Sequence, residues 1–525
     1  MNRGIGRVLI YFLIGAATSG LCLWQLHGGY GFNLADEGFF WYGAKQTAKG
    51  EVPGLDFMSY EPGRYYWAAA IFKTFGNDSN LMARVASVLF GAMLYGMISS
   101  VLIGKRNEIN VAAALLSVFF LNILLSIWSF PYYRVTDAVA PCLSYLLCYH
   151  QYVDRRLRTS LSTGLWIGIM MFFGRNHALY ALISVGIIIG YVQLQDKEAN
   201  KTLRRVWLGT LGMMSGMSPF LIITLFRPGY PTTIVGQWFS MFKAGKTNLP
   251  LPWPLPWQTI KSGMPLSEVD GHLIVGIMFI SLFGIAIGGT TMIAFKAVKG
   301  KLASPELAAM TAATTGYVHY CIERADMEHI GPVFMPVLLG IFLWGIRRSR
   351  AITAICICSL LVPTLRVAAR QQSAYHCIRE TIVCTRLNID SYTQVSTDSA
   401  TAAITIRALE EIKDVRFLAL PAYPSLYAAK DADRSPIAIF GEGALVRTNP
   451  EELLSNVRAA EAGVGRGARR GTSKIKDERI ANALDDLLTD MLDAVNAGKV
   501  VERRTPAGWK QITAADFNTI RLAEE

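Results

Sequence analysis

The chain is constrained most by a series of long apolar runs that occupies residues 1–369. Short charged clusters separate these runs, which cover about 7–27, 82–103, 109–128, 138–153, 159–173, 178–195, 207–226, 272–295, 304–322, 331–346 and 351–369. About 20 residues of helix, at 1.5 Å per residue, cross the roughly 30 Å hydrocarbon core of a bilayer. The runs therefore predict a mainly α polytopic membrane protein with about eleven transmembrane helices.

The composition agrees with this fold class. Charged residues make up 17% of the chain, against roughly 25% in soluble domains. The first run, from about Val8 to Leu26, follows Arg3 and Arg7 but is too long for the apolar part of a signal peptide, so we expect a retained helix. The net charge of +12 does not indicate nucleic acid, because most Lys and Arg fall in short loops between the runs.

The loop charges predict the orientation of the chain. Every second loop is basic, and this set contains Arg3 and Arg7; Lys105 and Arg106; Arg155, Arg156 and Arg158; Lys197, Lys201, Arg204 and Arg205; Lys296, Lys299 and Lys301; and Arg347, Arg348 and Arg350. The positive-inside rule assigns these loops to the cytoplasm. The long loops 28–81 and 227–271 then face outward. We expect a multi-pass protein of the cell inner (cytoplasmic) membrane, with its polar clusters on the periplasmic, extracytoplasmic side.

The chain divides into two predicted domains. Residues 1–369 form the transmembrane domain, and residues 370–525 read as a small extracytoplasmic α/β soluble domain. In the second domain "ATAAITIRALEEI" predicts a helix, "VRFLAL" and "SPIAIF" predict strands, and "KVVERRT" with "GWKQI" predicts a hairpin. It has no Gly-rich phosphate loop and no paired-His motif, so we interpret it as a structural or acceptor-positioning module.

The first outer loop carries the most specific motifs. Asp36-Glu37-Gly38 follows the first apolar run, then comes "GEVPGLDFMSYEPGRYYWAAAIFKTFG", and "ARVASVLFG" leads into the second run. This series, over about residues 31–92, resembles the N-terminal signature of membrane glycosyltransferases with the GT-C fold. It is similar to the branch that contains protein O-mannosyltransferases and the aminoarabinose transferases of lipid A. Related members often show Lys-Pro-Pro or His-Pro-Pro where this chain has Glu61-Pro62-Gly63, and Arg64 is able to supply the missing positive charge.

The resemblance implies a GT-C-like domain with interfacial helices in its outer loops. It also implies a sugar donor on a polyprenyl phosphate in the membrane lipids, and a lipid, glycan or protein acceptor. Such a transfer needs a carboxylate base, cations for the phosphate and an apolar groove for the lipid tail. We assign Asp36 as the base and Glu37 as its catalytic partner. The residues alone leave a second interpretation open, in which Asp36 only caps a helix that begins at Glu37.

Further candidates for substrate binding lie in the same outer loops. They are Tyr60, Arg64 and Tyr65 in the first loop, Tyr133 and Arg134 in "PYYRVTD", Arg175 and His177 in "GRNHALY", and Arg324, Asp326 and His329 in "ERADMEH". We expect the arginines to hold the donor phosphate. Solvated helix ends and snorkelling arginines are the simpler alternatives.

A cofactor is not assigned from the sequence. Asp326 and His329 share a face at helical spacing. With Glu323 they are also able to ligate a divalent metal ion, so metal dependence stays open.

Two other functions compete with the glycosyltransferase. A transporter or flippase of lipid-linked saccharides should carry ionisable residues at mid-membrane depth, whereas here the charges lie at the ends of the runs. A saccharide polymerase or ligase would share the grip on a lipid phosphate but does not need the Asp36-Glu37 pair. The placement of charge therefore favours the glycosyltransferase.

Overall fold

The fold is taken from a computed structural model of the chain. It describes residues 3–33, 36–57, 59–104, 110–236, 251–348, 350–371, 384–411, 417–420, 428–429, 462–465, 502–505 and 508–511. The predicted strand at 435–440 lies outside these residues, as do Lys243 and Lys246 in the second long loop.

A helix occupies each of the eleven predicted runs. The helices are α1 (Arg3–Leu23), α4 (Asn80–Gly104), α5 (Val111–Ile127), α6 (Val135–Val153), α7 (Leu157–Phe173), α8 (Arg175–Asp196), α9 (Ala199–Gly216), α10 (Ser218–Phe226), α12 (Leu266–Gly284), α13 (Thr290–Val298), α14 (Pro305–Glu323), α15 (Met327–Gly345) and α16 (Arg350–Gln371). The seventh run is split between α9 and α10, where Pro219 lacks the N–H that a continuous helix needs. The eighth is interrupted by a π-helical turn, Ile285–Gly289.

The predicted membrane class is confirmed by the length and polarity of these helices. Six helical stretches in the described ranges are long and apolar enough to cross a membrane, namely Gly6–Gly28, Asn80–Gly104, Arg175–Asp196, Ala199–Phe226, Glu268–Val298 and Met327–Gly345. Three shorter apolar helices accompany them. Helices α6 and α14 are more polar, and they pack against each other and against α8 and α15 inside the bundle. Buried helices face protein rather than lipid, which explains their weaker hydropathy.

Two helices of the first outer loop pack together at one end of the bundle. Helix α2 (Asp36–Lys49) lies against α3 (Gly63–Phe75), which ends at Gly76 in the left-handed conformation. Three aromatic residues of α2, namely Phe40, Trp41 and Tyr42, are buried inside the protein. A short helix, α11 (Pro256–Thr259), lies in the second long loop.

The described residues of the predicted C-terminal domain form helical and strand segments, in agreement with the predicted α/β class. Strand β1 (Cys384–Asn388) pairs antiparallel with β2 (Gln394–Asp398), and α17 (Ser399–Glu411) follows. Strand β3 (Phe417–Leu420) pairs in parallel with β4 (Ala462–Gly465), and β5 (Glu502–Thr505) forms a hairpin with β6 (Gly508–Gln511). The helix at 400–412, the strand at 415–420 and the last hairpin were all predicted from the sequence.

Candidate functional site

Polar side chains from five separate segments meet at one end of the bundle, which we call the site end. They come from the first turns of α2, α3, α6, α8 and α15, together with the 3-10 turn Tyr132–Arg134 that precedes α6. Among the described residues, basic loops contact one another away from this site, where Arg155 and Arg205 both pair with Asp196. The predicted convergence of the polar clusters is therefore present in the fold.

Asp36 is the first residue of α2 and is partly exposed. Its backbone N–H donates to Asn33 Oδ1 at 2.9 Å, so Asn33 rather than Asp36 satisfies the start of this helix. Within the described residues, no hydrogen bond or ion pair reaches the Asp36 carboxylate. The structure therefore does not support the interpretation of Asp36 as the cap of a helix that begins at Glu37.

The surroundings of Asp36 are defined by its electrostatic neighbours. Its carboxylate interacts with Tyr60, Tyr133 and Glu328. The Tyr60 side chain is 39% exposed, and the partial burial of its phenol raises its pKa above the ordinary value. The Tyr60 hydroxyl is therefore neutral at pH 7 and able to donate a hydrogen bond.

Glu37 has a different environment, although it is the next residue. Its side chain is 1% exposed, and Oε1 accepts hydrogen bonds from Asn80 Nδ2 at 2.7 Å and Arg84 Nη2 at 2.8 Å. Oε2 accepts the N–H of Asn33 at 3.2 Å. A buried ion pair is tolerated when its remaining hydrogen-bonding capacity is satisfied in this way. The contacts tie α2 to the start of α4, and the predicted catalytic role of Glu37 stays a prediction.

Arg84 extends this anchor to the end of the first helix. It is fully buried, and its guanidinium donates to the carbonyls of His27 at 2.9 Å, Tyr30 at 3.1 Å and Gly31 at 2.7 Å. These carbonyls follow the last α-helical turn of α1. Arg84 therefore fixes the path of the chain just before Asn33 and Asp36.

A second group of contacts is centred on Asp137. Its Oδ1 lies 3.2 Å from Arg64 Nη2 and 3.2 Å from His177 Nε2. The Arg64 guanidinium also lies over the Tyr60 ring, 4.9 Å from its centroid. Arg64 Nε and His177 Nδ1 are buried and have no hydrogen-bond partner among the described residues. One guanidinium and one ring nitrogen therefore have unused hydrogen-bonding capacity at this point.

Arg134 connects this group to the start of α15. Its Nη1 donates to Glu328 Oε2 at 3.0 Å, Nη2 lies 3.3 Å from His329 Nε2, and Nε lies 3.8 Å from Asp137 Oδ2. Glu328 was part of the "ERADMEH" motif, but the sequence did not single it out. The cluster of Arg64, Asp137, Arg134 and Glu328 is continuous with the neighbourhood of Asp36.

Asp326 caps α15 and orients His329. Its Oδ1 accepts the N–H of His329 at 3.0 Å and lies 2.6 Å from the ring Nδ1, so the predicted shared face of these two residues is present. Arg324 donates to the other carboxylate oxygen. Burial alone would raise the pKa of Asp326, but the His329 hydrogen bond and the Arg324 charge hold it below its ordinary value.

The remaining predicted residues line the same end of the bundle. Arg175 Nη1 lies 3.2 Å from Glu61 Oε1, so Glu61 faces a cation from α8. Tyr65 is fully buried, and its hydroxyl accepts the N–H of Tyr60 at 3.2 Å. The Tyr133 hydroxyl lies 3.5 Å from Asn33 Nδ2.

The site's charges are balanced pair by pair. The pairs are Arg64 with Asp137, Arg134 with Glu328, Arg175 with Glu61 and Arg324 with Asp326. In the described part of the chain, the Asp36 carboxylate stands outside these pairs. It is the carboxylate of this cluster that is not committed to a cation.

Sequence reasoning missed several residues of the site. Tyr320 packs its ring 5.0 Å from His329 and 5.4 Å from His177, which joins the α8 and α15 clusters. Tyr317 and Tyr320 are three residues apart, and this helical spacing indicates that they share one face of α14. The spacing does not indicate which residues that face contacts. Asn33, three residues before Asp36, has the residue type and spacing of a helix cap and was detectable.

An apolar cavity adjoins the Asp137 group. It has a volume of about 200 Å³ and lies between α3, α4, α6 and α7. Its apolar lining consists of Trp67, Phe90, Met93, Leu94, Val139, Ala140, Leu143, Trp166, Ile169, Met170 and Phe173. Thr136 and His177 form its polar end, and the Phe173 carbonyl accepts a hydrogen bond from Arg64 at 3.4 Å. The cavity is therefore an apolar space whose polar end lies next to two hydrogen-bond donors, the His177 ring and the Arg64 guanidinium.

Metal ligation was tested on the same residues. No group of three or more His, Cys, Asp or Glu able to hold a metal ion occurs among the residues described. Asp326 and His329 face Arg324 and Arg134 respectively, and neighbouring guanidinium charges disfavour a bound cation. The side chain of Glu323 lies outside the described set.

Fold and site together define a multi-pass α-helical membrane protein with a polar site at one end of its bundle. No family model and no curated protein matches the sequence. Among solved structures, the chain is similar to the crystal structure of ArnT from Cupriavidus metallidurans in the apo state. The likeness covers 95% of this chain and 92% of that chain, with 12% sequence identity and a TM-score of 0.43.

ArnT is a lipid A aminoarabinose transferase with the GT-C fold, and the branch that residues 31–92 resemble contains such transferases. At this identity and TM-score, the likeness assigns no role to any residue of this chain.

Proposed function

We propose that this protein is an integral membrane glycosyltransferase that moves a sugar from a polyprenyl-phosphate donor to an acceptor hydroxyl on the periplasmic face of the inner membrane. The observation that carries the proposal is the Asp36 carboxylate. It is partly exposed, free of cationic partners in the described part of the chain, and next to a cluster of buried and half-buried arginines at the end of the bundle. The motifs of residues 31–92 support the same activity.

Asp36 is the proposed general base. A carboxylate without a salt bridge is available to accept the proton of an acceptor hydroxyl during attack. Glu37 is already bound to Arg84 and Asn80, and we propose that it positions Asp36 rather than taking the proton itself. The neutral Tyr60 hydroxyl, within electrostatic reach of Asp36, is suited to donate a hydrogen bond to an acceptor or sugar oxygen.

The arginines are the proposed phosphate site. Arg64 has an unpartnered Nε, and Arg134 is held by Glu328, whose side chain is 34% exposed and able to move aside. Charge-assisted hydrogen bonds from guanidinium to phosphate are short and strong, and they stabilise the charge that develops on a leaving phosphate. We assign Arg175 and Arg324 to the outer part of this site, where each starts from a pair with one carboxylate.

The apolar cavity is the proposed binding space for the first part of the polyprenyl chain. Its polar end lies at His177 and next to Arg64, as required if the phosphate sits there and the tail runs between α3, α4, α6 and α7. The rest of a long tail would lie in the surrounding lipid.

The proposed reaction balances without a second acid. The acceptor oxygen forms a bond to the anomeric carbon while its proton passes to Asp36. The bond between the anomeric carbon and the phosphate oxygen breaks, and its electron pair leaves with the polyprenyl phosphate. A phosphate leaves as an anion without being protonated, so one base suffices, in contrast to the two carboxylates of glycoside hydrolases.

The test is transfer by the purified chain in proteoliposomes with defined polyprenyl-phosphate sugars and a panel of lipid, glycan and peptide acceptors, with and without EDTA. We expect Asp36→Asn to lower kcat by at least about 100-fold, with unchanged expression and elution. Asp78→Asn, a half-exposed carboxylate in the same outer loop, is the matched control. Full activity in Asp36→Asn would refute the base assignment. Movement of the donor across the bilayer without product would instead identify a flippase.

A further inference from the structure

The β1–β2 hairpin of the C-terminal domain is bound to the segment that precedes Asp36. The N–H of Gly31 donates to the Ser396 carbonyl at 2.9 Å, and the N–H of Ser396 donates to the Gly29 carbonyl at 2.8 Å. Tyr30 and Ser396 form a parallel β-bridge. Strand β2 thus adds residues 29–31 to its edge, although more than 360 residues separate them in sequence.

The turn of the same hairpin caps α4. Asp390 Oδ2 accepts the N–H of Asn80 at 2.9 Å, and Thr393 Oγ1 accepts the N–H of Leu81 at 2.8 Å. These are the first two amides of the helix, which have no partner within it. The Asp390 carboxylate also faces the positive end of the helix dipole. A cap supplied by a distant segment makes the start of α4 depend on the hairpin.

Both contacts converge on the anchor below Asp36. The first two turns of α4 carry Asn80 and Arg84, which together hold Glu37. Arg84 also holds the carbonyls of Tyr30 and Gly31, the residues that β2 pairs with. Glu37 in turn accepts the N–H of Asn33, whose side chain accepts the N–H of Asp36.

The hairpin is also part of an apolar core with the first outer loop. Leu387, Ile389 and Val395 are 1%, 4% and 1% exposed. They belong to one buried cluster with Phe40, Trp41 and Ala83. Burial of this kind requires the hairpin to dock as a body rather than through isolated hydrogen bonds.

We propose that the β1–β2 hairpin is a positioning clamp for Asp36. It fixes residues 29–31 by strand addition and α4 by capping, and these two supports hold the Glu37–Arg84 anchor and the Asn33 turn. The C-terminal domain thereby sets the position of the carboxylate without touching substrate. That Asp36 is the base rests on the proposed function, whereas the mechanical link does not.

The clamp is tested with Thr393→Val, which removes the capping hydroxyl, and Thr393→Ser, which keeps it. Asp390→Ala and Asp390→Asn form a second pair. Tyr392→Ala is the control, because the Tyr392 side chain lies in the hairpin turn and is 67% exposed. Hydrogen exchange of the full chain in detergent is read at residues 29–37, and protection of β1 and β2 shows that each variant has kept its hairpin.

We expect hydrogen exchange at residues 29–37 to rise about tenfold in Thr393→Val and Asp390→Ala, which corresponds to about 1.4 kcal/mol. Exchange should stay near wild type in Thr393→Ser and Tyr392→Ala. In the transfer assay, kcat should fall about 10- to 100-fold while the KM for donor stays within about twofold. Unchanged exchange at 29–37 with a folded hairpin would overturn the clamp. Faster exchange with unchanged kcat would overturn its link to catalysis. A wild-type chain without transferase activity would overturn the proposed function, and exchange alone would then decide on the clamp.

Discussion

Replacing Glu37 should separate an anchoring role from a chemical one. The Glu37 carboxylate is buried and receives hydrogen bonds from Asn80, from the Arg84 guanidinium and from the Asn33 amide. Glu37→Ala leaves Arg84 as an uncompensated buried charge, and breaking a buried pair in this way costs about 3–5 kcal/mol. Glu37→Gln keeps the volume but replaces one acceptor oxygen by an NH₂ group. This NH₂ group then faces either the Asn33 N–H or the Arg84 donors. The donor that loses its acceptor costs about 1.5–3 kcal/mol of stability.

The assay is denaturant unfolding in detergent micelles, combined with donor turnover on the same preparations. We expect stability and kcat to fall together in both Glu37 variants, because a loosened anchor displaces Asp36. Glu198→Gln is the control, since the Glu198–Lys201 pair is about half exposed and such pairs contribute about 0–1 kcal/mol. Wild-type stability with abolished turnover in Glu37→Gln would refute the anchor and make Glu37 a reacting group.

Three further predictions follow from the site. Arg324→Ala should raise the KM for donor about tenfold or more, because a charge-assisted hydrogen bond is lost. Arg348→Ala, in a basic loop, is the control and should leave this KM unchanged. Equal KM values in the two variants would remove Arg324 from the phosphate site. Ala140→Phe fills the apolar cavity and should raise the KM for a long-chain donor about tenfold with little effect on a short-chain donor, and an equal effect on both would exclude the cavity as the tail site. Because the pKa of Asp326 is held below its ordinary value, its stabilising effect is present above the unfolded pKa of about 3.9 and is lost as the pH falls through the lower folded value. Asp326→Asn should therefore flatten the stability profile below about pH 4, and an unchanged acid limb would show that its pairs with His329 and Arg324 do not stabilise the fold.

The bundle was predictable because each transmembrane helix is specified locally. Length and apolar composition suffice to place α4 or α15, and alternation of basic loops predicts which ends share a side. Convergence of Arg64, Arg134 and His177 on one end follows from that alternation alone. The sequence did not indicate which carboxylate each arginine would face, since the Arg64–Asp137 pair joins residues 73 positions apart.

The hairpin clamp was not predictable either, because its contacts also join residues that are far apart in the sequence. "VRFLAL" and the last hairpin show local strand signals, whereas docking of β2 on residues 29–31 depends on edge backbone groups that carry no residue code. The caps from Asp390 and Thr393 likewise act on a helix more than 300 residues away. Asp and Thr are ordinary turn residues, so the sequence does not indicate which helix they will cap.

The two adjacent acids show how the fold divides their roles. Successive residues of a helix point about 100° apart, so the first turn of α2 directs Glu37 toward α4 and Asp36 toward the neighbourhood of Tyr60, Tyr133 and Glu328. Burial makes a cationic partner necessary for Glu37, and Arg84 provides it. Asp36 lies where water and ligands reach it, and the arginines around it are already matched by other carboxylates. A fully bonded acid therefore stands directly next to an unpaired one, and this arrangement holds the carboxylate of the proposed base in place without a salt bridge of its own.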